Sequence, residues 1–252
     1  MLTDNSPSHQ VTKSPSHQFP VSIKAVLFDV DFTLIEPGPM FRAEGYHSFC
    51  ARHGMQVDAF LFDKAVASAA AVLDAAEETP YDAEIFVAYT RHIIEQMGGA
   101  GANLDACARE IYDEWASCQH FELYDEVPAV LRALAAGGLR IGLISNSHRC
   151  LESFQSHFEL GGLIDATISS PDHGFMKPHP SIFSEALQRL GVQPAEALMV
   201  GDSVRDDVEG ALGAGMHAVL VHRSGSPHPR AAELEARGVP IIRSLRELVD
   251  LI

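Results

Sequence analysis

Lys24-Ala25-Val26-Leu27-Phe28-Asp29-Val30-Asp31-Phe32-Thr33-Leu34 is the stretch that decides the fold. A short apolar run ending in a carboxylate reads as a strand buried on both faces, of the kind found inside a parallel sheet and opening onto a site at its carboxyl end. The runs Leu139 to Ser145, Ala166 to Ser169, Ala197 to Gly201 and His217 to Val221 have the same character, with helical patterns between most of them. Val239 to Ile242 adds an expected edge strand. This alternation predicts an α/β fold, a doubly wound Rossmann-like parallel sheet, with functional groups gathered where the strands end.

Between about Met40 and Cys118 the pattern changes. Ile85, Tyr89, Ile93 and Met97 form one helical stripe and Leu104, Ala108, Ile111 and Trp115 another, separated by Gly98-Gly99-Ala100-Gly101. Several packed helices are expected, and both stripes are assigned to packing. Pro37-Gly38-Pro39 leads into this block and Tyr124-Asp125-Glu126-Val127-Pro128 leads out, so both crossings read as linkers. The expected organisation is a disordered tail over 1–20, an α/β core over 21–37 and 125–252, and a helical cap over 38–124. A cap inserted just after the first strand stands above the strand ends, where a lid can exclude water and select a substrate.

The 252 residues, 46% of them hydrophobic, are enough for a sizeable core, and 34 acidic against 18 basic residues give a formal charge of -16. Such a surface repels nucleic acid and anionic membranes. A small phosphorylated metabolite is still compatible, because a metal and one lysine reverse the field locally. Cys50, Cys107, Cys118 and Cys150 are scattered without a C-x-x-C pair, and the thirteen histidines include no H-E-x-x-H, so neither a disulfide framework nor a zinc site is indicated. The tail repeats Ser-Pro-Ser-His-Gln at 6–10 and 14–18 and lacks a secretory pattern. No stretch reaches the ~18 to 20 apolar residues of a membrane span, so the expected location is the cytoplasm.

Four features carry chemistry. Asp29 and Asp31 at a strand end can be aimed at one small volume, Asp29 as a nucleophile and Asp31 as general acid and then base. Ser145 and Asn146 end another strand with a hydroxyl and an amide suited to phosphoryl oxygens. Lys177 stands just before a helix start at Pro178-His179-Pro180. Gly201-Asp202-Ser203-Val204-Arg205-Asp206-Asp207 supplies hard oxygen ligands that suit Mg2+. Taken singly, each has an ordinary reading as a turn, a cap, a surface charge or an acidic helix start; their order along inferred parallel strands is what overturns those readings.

In that order, these motifs resemble the haloacid dehalogenase superfamily, over a core from about Lys24 to Val221. The helical insertion is similar to the α-helical cap of the subgroup containing haloacid dehalogenases, phosphoglycolate phosphatases and β-phosphoglucomutases. The resemblance implies that Asp29 is the nucleophile and a magnesium ligand, Asp31 the acid and base and a ligand through its backbone carbonyl, and Asp202 the remaining protein ligand. It implies that Thr33, Ser145 and Asn146 orient the phosphoryl group or the nucleophile, that Lys177 neutralises charge on Asp29 and the transferring oxygens, and that Asp207 or Asp206 supports the metal shell, with Asp207 favoured by the spacing of Val208 and Gly210-Ala211 behind it.

The function expected is magnesium-dependent hydrolysis of a small phosphorylated metabolite through a phospho-aspartyl intermediate. An acid at Asp31 favours an alkoxide leaving group over a halide. The alternatives are a phosphomutase or 2-haloacid dehalogenase-type relative and a catalytically silent binding member; Lys64, the cap lysine a Schiff base would need, reads as an ordinary helical residue. Tyr46, His47 and Arg52 are the early cap residues weighed for specificity, and a monomer or homodimer is expected. Phe32 stands where the superfamily commonly has Gly, Asp or Asn. Because a bulky residue is strained at positive φ, Phe32 is expected to keep negative φ, with its ring under the cap or at the entrance.

Overall fold

A strand with parallel neighbours on both sides organises the protein. The computed structural model describes residues 19, 21–74 and 80–252. Its strands are β1 (Ala25–Phe28), β2 (Ile35–Pro37), β3 (Phe121–Leu123), β4 (Arg140–Ser145), β5 (Ala166–Ser169), β6 (Ala197–Gly201), β7 (His217–Val221) and β8 (Ile241–Ile242). Six of them form one sheet in the order β5-β4-β1-β6-β7-β8, every pairing parallel. The chain builds outward from β1 to one side through β4 and β5, then returns to the other side through β6, so β1 lies at the switch point where such sheets bind ligands.

The period-two alternation of side chains explains why β1 is apolar throughout. Val26 and Phe28 enter the hydrophobic core on one face, and Ala25 and Leu27 the core on the other. The helices are α1 (Ala43–Arg52), α2 (Phe62–Asp74), α3 (Ala83–Gln96), α4 (Leu104–Glu114), α5 (Val127–Ala136), α6 (Leu151–His157), α7 (Ser170–His173), α8 (Pro180–Leu190), α9 (Gly210–Gly213) and α10 (Ala231–Ala236). Val130, Leu131 and Leu134 of α5 join the first core; Ile182, Phe183 and Leu190 of α8 join the second.

The helices α1 to α4 lie between β2 and β3, which pair antiparallel with Ile35 opposite Leu123 and Pro37 opposite Phe121. The two crossings into the cap are thus hydrogen-bonded to each other. The glycine-rich break falls between α3 and α4 as expected. The expected disordered tail lies outside the described residues except for Phe19, whose ring packs at 5.1 Å from that of His217.

Both cap stripes differ in part from the packing assigned to them. Ile93, Met97, Ala108 and Ile111 are buried in the core, but Ile85, Tyr89, Ile111 and Trp115 also line the cavity described below. Helical spacing identifies an apolar face; it does not distinguish a face laid on another helix from one laid over a hollow.

Candidate active site

Three parallel strands and the loop ahead of α8 deliver the polar groups. Asp29 follows β1, and its backbone NH donates to the carbonyl of Val200 on β6 at 2.9 Å. Asp202 follows β6. Lys177 is buried and donates from Nζ to Asp29 Oδ1 at 2.6 Å, to Asp207 Oδ1 at 2.6 Å and to the carbonyl of Ile144 on β4 at 3.0 Å. Residues distant in the chain therefore meet around one ammonium group.

The carboxylates of Asp29, Asp202 and Asp207 present oxygens that lie within 4.8 Å of one another. Asp207 gets there because Gly201 has no side chain: a Cβ on Gly201 would fall 2.1 Å from Asp207 Oδ2. That oxygen also accepts from the backbone NH of Ser203 at 3.0 Å. The segment Val204–Glu209 is wound as a π-helix, a form that recurs at functional sites, and it presents Asp207 inward. Asp206 lines the cavity but is not part of this trio.

The charged groups in this small volume act strongly on one another. Burial pushes the carboxyl of Asp29 up to about 7 against the lowering pull of Lys177, with Asp207 adding to the rise. Desolvation at the crowded cavity floor, followed by the charges of Asp29 and Asp207, also pushes Asp202 well above the ordinary carboxylate range, although the residue itself is exposed. Burial alone would lower Lys177, but Asp207 and Asp29 outweigh it and hold the ammonium above its usual value. Three carboxylates against one ammonium form a hard, oxygen-rich set of the kind that suits a divalent cation.

Asn146 fixes the lysine loop. Its Oδ1 accepts from the backbone NH of Lys177 at 2.8 Å and from Ser170 Oγ at 2.7 Å, and its Nδ2 donates to the Lys177 carbonyl at 3.1 Å. Ser145 is buried, with its Oγ accepting from the Ser147 NH at 3.1 Å. Thr33 is buried too; its carbonyl accepts from Arg223 Nη2 at 2.9 Å, and its hydroxyl has no hydrogen-bond partner among the described residues. Asn146 lines the cavity, whereas Thr33 and Ser145 do not.

Asp31 is turned toward the cap. Both of its oxygens accept from Arg149 Nη1, and Oδ1 also accepts from Trp115 Nε1 at 3.2 Å. Arg149 is wholly buried, sends Nη2 to the Trp115 carbonyl at 2.8 Å and lies 4.2 Å over the ring of Phe121. Sequence reasoning missed both residues. The signal was there for Arg149, four positions after Ser145 on the loop that follows β4, but only the fold shows that it points back to Asp31.

Phe32 contradicts the expected negative φ: its φ is 63°. The loop after β1 folds back on itself, with the NH of Phe32 donating to the Ile35 carbonyl at 2.7 Å and the NH of Leu34 to the Val30 carbonyl at 2.9 Å. These bonds require a left-handed residue at the turn, and they offset a conformational cost of about 1–2 kcal/mol for a side-chain-bearing residue. The ring, 43% exposed, lies at the cavity 6.2 Å from that of Trp115, one of the placements expected for it.

The cavity has a volume of about 410 Å³. Its floor carries Asp29, Lys177, Asp202 and Asp207, and its roof comes from the cap. Of the early cap residues weighed for specificity, Tyr46 lines it, while His47 and Arg52 are exposed and do not, and Lys64 is likewise exposed outside it.

Residues 23–215 match the family model for haloacid dehalogenase-like hydrolases, and the chain belongs to that hydrolase family. It is 30% identical over 257 residues to the phosphoserine phosphatase of Thermus thermophilus, covering 90% of this chain and 98% of that protein. It is 35% identical over 158 residues to the N-acylneuraminate-9-phosphatase of Mus musculus, covering 58% of this chain and 61% of the relative. The chain spans about half the length of several other curated relatives it matches. Among solved structures, a HAD phosphatase from Thermococcus onnurineus superposes with a TM-score of 0.59 at 25% identity, covering 90% of this chain and 96% of that one.

Proposed function

We propose that the protein is a magnesium-dependent phosphatase that hydrolyses a small phosphorylated metabolite through a phospho-aspartyl intermediate on Asp29. The observation that carries the reading is the meeting of Asp29, Asp202 and Asp207 around Lys177 at the floor of a covered cavity, with Asp31 beside it. The phosphatase relatives support the same chemistry.

Asp29 and Asp202, with the backbone carbonyl of Asp31, would hold Mg2+, and Asp207, whose two oxygens already accept from Lys177 and Ser203, would support that shell. When bound, the ion supplies charge neutralisation for phosphoryl oxygens. The remaining steps belong to the chain itself. A carboxylate oxygen of Asp29 attacks phosphorus as the bond to the ester oxygen breaks, and Asp31 gives that oxygen a proton. Water then attacks the aspartyl phosphate, Asp31 takes its proton, and phosphate leaves with Asp29 restored. Lys177 holds the nucleophile in place and offsets charge on the transferring oxygens, while Asn146 holds Lys177.

A cytoplasmic location belongs to the same proposal; the four cysteines are all free thiols, and among the described residues no helix is long and apolar enough to cross a membrane. Phosphate release from a panel of phosphomonoesters tests the reading. It should require Mg2+ and fall by at least about 1000-fold in Asp29→Asn, as expected when the nucleophile of a covalent route is removed. Undiminished release in that variant would end it.

A further inference from the structure

The two ends of the cavity differ in chemistry. Its core end carries every charged residue of the lining: five aspartates, at 29, 31, 202, 206 and 207, with Lys177 and Arg205. Among the described residues the cap contributes no charged side chain to the wall. Burial pushes the phenols of Tyr46, Tyr89 and Tyr112 up, so each is neutral.

Four polar side chains at this wall, those of Tyr112, Thr90, Trp115 and Arg205, are engaged within the protein, while His148 Nε2 is buried without a partner among the described residues. The hydroxyl of Tyr112 pairs with that of Tyr81 at 2.5 Å, and Thr90 donates to the Phe86 carbonyl at 3.0 Å. Trp115 donates to Asp31, and Arg205 donates to the Leu73 carbonyl at 3.0 Å. Apart from the Tyr89 hydroxyl, what the wall offers a ligand is ring faces and aliphatic surface. His148, Tyr112 and Phe86 stack in near-parallel fashion, with centroid spacings of 4.1 and 6.3 Å. A volume of about 410 Å³ exceeds the needs of a two-carbon phosphate and falls in the range of sites for ring-bearing ligands.

The geometry points to a substrate class. The alcohol portion of the ester is an uncharged, apolar, ring-sized group held by Tyr46, Ile85, Phe86, Tyr89, Tyr112 and Trp115, so the preferred substrates are phosphomonoesters of apolar alcohols rather than of hydroxy acids or amino alcohols. This rests on the phosphatase reading of the same site. A carboxylate or an ammonium carried onto this wall loses its water and finds no opposite charge among the described cap residues that line it, and Arg205 of the core end already donates to the Leu73 carbonyl; a ring loses nothing and buries its surface.

The test uses the full chain with Mg2+ and esters of primary alcohols, which keeps the leaving group comparable: benzyl and cyclohexylmethyl phosphate against phosphoglycolate, O-phosphoserine and phosphoethanolamine. Burial of a ring predicts a kcat/KM at least about tenfold higher for the apolar esters. A charged ester turned over as well or better overturns the inference and leaves the phosphatase reading standing. Calorimetric binding of 2-phenylethylphosphonate and 3-phosphonopropionate reads the same preference without turnover. Tighter binding of the phenyl compound is expected, and equal or tighter binding of the carboxylate overturns the inference. Phenyl preference in binding with no turnover of any ester would instead count against the phosphatase reading alone. Ile85→Arg, which adds a cation to the wall, should narrow the ratio between benzyl phosphate and phosphoglycolate by about tenfold.

Discussion

Arg149 Nη1 donates to both carboxylate oxygens of Asp31, at 2.9 and 3.1 Å, while its Nη2 holds the carbonyl of Trp115 at the end of the cap. One buried guanidinium therefore sets where Asp31, the proposed acid and base, stands and ties that position to the cap. Arg149→Met should lower kcat by about 10- to 100-fold with KM changed much less, since a positioned proton donor is worth that order and the phosphate contacts remain. Arg149→Lys, which keeps the charge but loses the fork, should recover only part of it. Steady-state kinetics on 4-nitrophenyl phosphate and on an alkyl ester separate the two effects, and an unchanged kcat in Arg149→Met would remove Arg149 from the account.

Gly201 and Asp207 make a second dependent pair. Because a Cβ on Gly201 would meet Asp207 Oδ2 at 2.1 Å, Gly201→Ala should push Asp207 out of the trio. Mg2+ affinity, read by titration of activity or by calorimetry, should weaken by about tenfold or more, the range seen when residues supporting a metal shell are lost. Asp207→Asn should behave alike and Asp206→Asn should be milder; equal effects at 206 and 207 would contradict the placement.

Metal-free stability should fall as pH rises toward neutrality. Asp29 is raised from 3.8 to about 7 in the folded protein, so between those values the fold holds a proton that the unfolded chain has released. The stabilising contribution is complete below the lower value and is lost as pH climbs through the upper one. Melting curves in EDTA at pH 5, 6, 7 and 8 should show this decline, and Asp29→Asn should flatten it. Mg2+ should restore stability most at the alkaline end and release protons on binding near pH 7. An identical pH profile for wild type and Asp29→Asn without metal would contradict the electrostatic account.

Phe32 carries a conformational cost that Asn would not, because its φ is 63° and its ring is 43% exposed. Phe32→Asn should keep or raise stability by up to about 1 kcal/mol, while the lost ring surface should raise KM for apolar esters. Chemical denaturation checks the first part, and a loss above about 1 kcal/mol would show that the ring packs more than it strains.

Much of this site was legible because strands buried on both faces announce themselves and their carboxyl ends mark where groups converge. Ala25–Phe28 and Ala197–Gly201 gave Asp29 and Asp202 their places in this way. The inward placement of Arg149, three positions beyond Asn146, and the fold-back after Asp31 were not legible. Which way a long arginine points, and whether a turn demands positive φ, depend on contacts between segments far apart in sequence. The same limit applies to Ile85 and Tyr89, whose spacing marked an apolar face and left its neighbour unstated.

Covalent capture of the phosphoryl group tests the central claim most directly. Rapid acid quench during turnover with Mg2+, followed by borohydride reduction and peptide mapping, should convert the aspartyl phosphate at position 29 to homoserine and leave Asp31, Asp202 and Asp207 unmodified. Homoserine at another aspartate, or its complete absence while phosphate is being released with a demonstrated accumulation of enzyme-bound phosphoryl, would contradict Asp29 as the nucleophile.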